Sequence, residues 1–180
     1  MTVSGYQKRK ETEGQIKRIA VYSLLLFILR VAECSFFGGI RYLPAVPDLV
    51  LGALTVIALI DTRETAMISA IIGGVLTDAI GASGVYLSPL FYFCVVLLLC
   101  LMSKKMMRSY LSFLVLMPVS LLARAVFTLG RGWLFGNRLG ALEILRYAVL
   151  PEAICTAVFC LALYPIICIC ADPLLRGRKS

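Results

Sequence analysis

Five ionisable side chains stand where a polypeptide can least easily carry charge. Arg30, Glu33, Asp78, Arg124 and Glu152 all lie within, or at the start of, long apolar runs. A charge at mid-bilayer costs about 2.5 to 3.5 kcal/mol on insertion scales, so such groups must pair or face a water-filled cavity. Arg30 and Glu33 are three residues apart, on one helical face, and are expected to pair with each other. Two bases and three acids suffice for one internal network, in which any member left unpaired would be expensive. Two readings stand: the charges neutralise one another and fix helix register, or some of them line a cavity or a docking face for another membrane protein.

Catalytic chemistry finds little to work with. The chain has no histidine, so Ser83 in the turn Gly81-Ala82-Ser83-Gly84 has no base to activate it. No phosphate-cradling GxxxxGK[ST] run occurs, and no acids stand in pairs at metal-ligand spacing in the apolar runs. The expectation is a chain that is not an enzyme and has no metal and no cofactor. The seven cysteines lie in apolar runs without a CxxC pair and read as small membrane-buried hydrophobes.

Composition states what must position these groups. Of 180 residues 61% are hydrophobic and 16% charged, with mean hydropathy +0.93. Ordinary soluble domains are about half apolar and about a quarter charged, so an integral membrane protein is expected. The net charge of +8 belongs to Lys and Arg flanking apolar runs, which is an orientation signal and not a sign of nucleic acid. A basic tail, 1–18, precedes a single transmembrane domain, 19–175, with spans at about 19–37, 48–60, 65–80, 85–102, 110–130 and 147–171. Arg30 and Glu33 inside the first run, with no small-residue cleavage site after it, argue for an uncleaved span and against a signal peptide.

Pro47-Asp48 opens span 2 and Pro151-Glu152 opens span 6, each a proline near a first helical turn followed by an acid that complements the helix dipole. Spans 2 and 3 are joined by the polar turn 61–64 and are short, so this hairpin is a candidate to be re-entrant. Pro118 interrupts span 5, Pro165 is placed to kink span 6, and 131–146 has an interfacial composition. In span 3, Ala66, Ala70, Gly74 and Asp78 form one ridge and Ser69, Gly73, Thr77 and Gly81 the next, both small. Close approach of another helix is then expected, with span 3 at the centre and Asp78 either capping within the core or facing a ligand or partner.

Twelve of the eighteen Lys and Arg residues fall in the two tails, the 2–3 turn and the 4–5 loop, against four on the other side and two within spans. Both termini should be cytoplasmic. The same count fits six full spans or four spans plus a re-entrant hairpin.

The succession Pro47-Asp48, Gly73-Gly74-x-x-x-Asp78, Gly84, Pro89-Leu90-Phe91-Tyr92, a Lys-Lys loop, Leu150-Pro151-Glu152 and Tyr164-Pro165 resembles the rod shape-determining protein MreD family over about residues 20–175. The family pattern falls on Gly74, Asp78, Gly84, Pro151 and Glu152; the basic tail is longer than usual and Arg30 departs from it. The resemblance implies an all-α, six-helix bundle in the bacterial inner (cell) membrane, similar to the S-component of energy-coupling factor transporters. It also implies a non-catalytic subunit of the cell-wall elongation complex that binds MreC and couples MreB to peptidoglycan synthesis by RodA and a class B penicillin-binding protein. The rival from another class is a vitamin-capturing S-component, whose first helix typically shows an Ala-x-x-x-Ala face; here Leu24 follows Ala20 and Phe36 follows Ala32 at that spacing.

Overall fold

A computed structural model describes residues 3–37, 46–81, 86–103, 110–134 and 145–176, and the regular structure among them is all helical, with no strand. The helices are α1 (Val3–Ala32), α2 (Leu49–Ile60), α3 (Arg63–Ile80), α4 (Ser88–Ser103), α5 (Tyr110–Leu134) and α6 (Leu150–Arg176). A π-helical turn, Glu33–Phe37, extends α1, and a second, Leu145–Val149, leads into α6.

The centre of the molecule is α2 and not, as the small ridges of span 3 suggested, α3. All twelve residues of α2 are buried, and α1, α3, α4, α5 and α6 all pack against it. The sequence LVLGALTVIALI is apolar on every side, which suits a helix with no face to water. Gly52 lets α6 come close, because a Cβ there would overlap the Sγ of Cys160. The small ridges of α3 do turn inward: Ala66, Ser69, Ala70, Gly73, Gly74, Thr77 and Asp78 are buried, while Ile68, Ile71 and Val75 face outward. They serve a closely packed pair with α4 and a second contact with α1. Of the cysteines, Cys100 and Cys160 are buried, but Cys34 and Cys94 are exposed on the outer surface.

Only half of the expected short hairpin is short. At 1.5 Å per residue α2 is about 18 Å long and α3, with its start at Arg63, about 27 Å. The turn between them is fixed to α1. The Asp61 carboxylate accepts a hydrogen bond from the Tyr22 hydroxyl at 3.1 Å and pairs with Arg18 at 3.3 Å, while the Asp61 N–H closes α2 onto Ile57 O at 3.0 Å. Arg18 is therefore buried, at the end of the stretch expected to be a tail, and that stretch continues into the first span as one helix.

Two helices, over Tyr110–Gly132 of α5 and Leu150–Ile169 of α6, are long and apolar enough to cross a membrane; α2 and α4 are apolar but shorter. Both long helices continue through their prolines, Pro118 and Pro165, so Pro118 does not interrupt span 5 as expected. Each proline removes one backbone donor, a loss that a packed helix between neighbours tolerates. The beginning of α5 lies against the later half of α6, with the Tyr110 and Phe113 rings 5.1 and 4.9 Å from that of Tyr164. Large apolar side chains cover the outside, among them Leu24, Leu111, Leu122, Val126, Val158 and Ile169, each more than half exposed.

Candidate functional site

Where α2 begins, five elements bring polar side chains together, and the reason is a backbone one. The first N–H groups of any helix lack intrahelical acceptors, and buried they must find others. For α2, Glu33 Oε1 accepts from Leu49 N–H and, at 3.1 Å, from Val50 N–H; Asp48 Oδ1 accepts from Leu51 N–H at 2.9 Å; Gly52 N–H returns to Asp48 O at 3.4 Å. An acid at the helix N-terminus also faces the positive end of the helix dipole. Thus Asp48 is the N-cap residue, and Glu33 reaches in from the π-helical turn after α1 to complete the cap.

Each acid is held from a second side. Glu33 Oε2 accepts from Arg30 Nη1 at 2.5 Å, so the pairing expected from their spacing is present. Arg30 Nη2 reaches the Thr77 carbonyl at 3.5 Å, at the end of α3, where a cation complements the helix dipole. The Tyr92 hydroxyl of α4, fully buried, lies 3.1 and 3.0 Å from the two Asp48 carboxylate oxygens. From α5, Arg124 Nε pairs with Asp48 Oδ2 at 3.4 Å and donates to Glu152 Oε1 of α6 at 2.9 Å. The Arg124 guanidinium also lies 5.8 Å from the Phe91 ring centroid, and Phe91 stacks on Phe127 of α5. Thr156 Oγ1 of α6 accepts from Asp48 N–H at 2.9 Å.

Asp78 and Gly74 stand at the edge of this layer with a structural task. Asp78 Oδ2 accepts from Ser88 N–H at 3.2 Å, which satisfies the first residue of α4, while Oδ1 is buried without a partner among the described residues. One turn earlier, Gly74 lies against the Pro89 backbone, and a Cβ there would overlap Pro89 Cα and N. No ion pair joins Asp78 to Arg30 or Arg124 among the described residues. Of the residues singled out in the sequence, Arg30 with Glu33 and Arg124 with Glu152 are paired, Gly74 and Asp78 hold α4, and Gly84 lies outside the described residues.

Sequence reasoning missed the centre, Asp48, which joins four elements but was read only as a helix-start acid. It missed Tyr92 and Thr156 too. The signals present were the proline-acid start at Pro47-Asp48 and the tyrosine within Pro89-Leu90-Phe91-Tyr92. Chemically the layer neutralises helix ends and fixes the mutual position of α2, α4, α5 and α6. Among the described residues no group of three His, Cys, Asp or Glu side chains is placed to hold a metal ion.

The class these features define is an all-helical protein with a charged layer in an apolar interior and two helices suited to cross a membrane. Comparison with protein-family models, with curated proteins and with solved structures returns no match.

Proposed function

We propose that the chain is a six-span inner-membrane protein with both termini in the cytoplasm, a bundle of the S-component kind, acting as a non-catalytic subunit of the bacterial cell-wall elongation complex. In that role it binds MreC and, through it, links MreB filaments to RodA and a class B penicillin-binding protein. The observation that carries this reading is that part of the motif residues behind the resemblance to the MreD family, those of the Pro47-Asp48, Gly74-Asp78, Pro89-Tyr92 and Pro151-Glu152 segments, lie close together in space. Gly74 and Asp78 hold Ser88 and Pro89 at the start of α4; Tyr92, one turn on, binds Asp48 of the Pro47-Asp48 pair; Arg124 joins Asp48 to Glu152 of the Pro151-Glu152 pair. The apolar outer surface supports the membrane setting, because soluble monomers rarely expose contiguous apolar patches beyond a few hundred Å².

Purification of the tagged protein in detergent from its own cells tests the assignment. MreC is expected to co-purify with it at near-stoichiometric amounts. Absence of MreC, together with a bound vitamin-sized molecule, would replace the elongation reading by the transporter one.

A further inference from the structure

Arg124 has donors to spare. Its hydrogen bond to Glu152 and its ion pair with Asp48 both run through Nε, and its two terminal amino groups meet no acceptor among the described residues. They are not among the buried unpartnered atoms, so they keep some exposed surface. Arg124 lines a cleft between α5 and α6 with Leu121, Thr128, Val149, Glu152 and Thr156. The Thr128 hydroxyl makes no hydrogen bond to any described residue, and Thr156 Oγ1, occupied as an acceptor by Asp48 N–H, still has its own O–H to donate. The cleft encloses about 10 Å³, room for one water-sized group. Pockets for whole small molecules run to about 300 Å³ or more. Only one oxygen can enter, and the rest of its bearer must lie outside, along the α5–α6 seam.

Charge and depth select the bearer. Around Arg124 stand two carboxylates for one guanidinium, so a neutral acceptor is favoured over a phosphate. The start of α2, the end of α3, and the starts of α4 and α6 all lie at this level, bound by Glu33, Arg30, Asp78 and Arg124 respectively. Helix ends belong near the membrane interface, since backbone groups released from a helix find no partners in hydrocarbon. Leu122 and Val126 of α5 and Leu150, Ile154 and Val158 of α6, the two helices that form the cleft, are exposed apolar side chains. We propose, on the reading of the chain as a membrane protein, that this cleft binds a glycerolipid through one ester carbonyl, with Arg124 and Thr128 donating to it and the acyl chains lying along α5 and α6.

The probes are three lipids that differ in one group: a diester phosphatidylglycerol, its diether analogue without carbonyls, and uncharged diacylglycerol. The purified protein is incubated with each in detergent, and retained lipid is read by native mass spectrometry. The diester and diacylglycerol should be retained alike, and the diether about tenfold less, the size of a lost hydrogen bond from a charged donor. Ala153→Leu, which fills the cleft, should abolish retention, and Thr128→Val, which disturbs no bond within the layer, should weaken it several-fold. Equal retention of diester and diether, or loss of diacylglycerol alone, would overturn the proposal in favour of headgroup binding, and retention of none would overturn it outright. Recovery of the folded protein without any detergent would instead sink the membrane reading on which it rests.

Discussion

Replacing Asp48 by alanine is expected to lower the melting temperature of the detergent-purified protein by about 10 °C or more. The single carboxylate caps α2, accepts from the Tyr92 hydroxyl and faces Arg124. Removing one partner of a buried ion pair costs about 3 to 5 kcal/mol, because the other charge stays behind uncompensated. For a chain of this length each kcal/mol moves the midpoint by about 2 to 4 °C. Asp48→Asn separates the two contributions. Asparagine caps helices as well as aspartate and still accepts from Tyr92, so only the charge opposite Arg124 is lost, and about half the effect should remain. A melting temperature for Asp48→Ala equal to that of the wild type would show that the polar layer does not hold the helices.

The second large effect distinguishes two adjacent glycines. Gly73→Ala and Gly74→Ala make the same chemical change one residue apart in α3, and alanine is the better helix former by about 1 kcal/mol in each case. At Gly73 the new methyl meets side-chain tips, Val50 Cγ1 at 3.3 Å, Leu26 Cδ1 at 3.4 Å and Leu54 Cδ1 at 3.6 Å, and these can shift. At Gly74 it meets the backbone of Ser88 and Pro89, which cannot turn aside without moving the start of α4 away from Asp78. Gly73→Ala is therefore expected to leave stability near or above that of the wild type, and Gly74→Ala to lose about 1 to 3 kcal/mol, the usual range for overpacking. Thermal unfolding followed by size-exclusion chromatography reads the difference. Equal behaviour of the two variants would mean that α3 and α4 are not packed through Gly74.

Local pairs were legible in the sequence and distant ones were not. The Arg30–Glu33 pair follows from a three-residue spacing, and the inward ridges of α3 follow from the run of small residues every four positions. No spacing can announce that Asp48 meets Arg124, because their pairing depends on how α2 and α5 pack. The central place of α2 was obscured by a property of membranes. A helix apolar on every side is the sign of burial in water, but in lipid the same composition suits an outward helix equally, so LVLGALTVIALI does not say which side it faces. The small ridges of α3 mark close packing without saying how many neighbours share it. Pro118 misled for a related reason: losing one backbone bond ends a helix in water more readily than in a packed interior.

Two charged levels frame the bundle, Arg18 with Asp61 at one end of α2 and the layer around Asp48 at the other, about 20 Å apart along the helix. On the proposed topology the first lies toward the cytoplasm and the second toward the outer interface. The measurement that tests this most directly is labelling of single cysteines by a membrane-impermeant maleimide in spheroplasts, with the native cysteines replaced by alanine. Lys17 in α1 and Arg131 in the last turn of α5 are both exposed and lie beyond opposite levels. The account predicts that Arg131→Cys is labelled in intact spheroplasts and Lys17→Cys only after permeabilisation. Labelling of Lys17→Cys from outside, or of both positions from the same side, would contradict it.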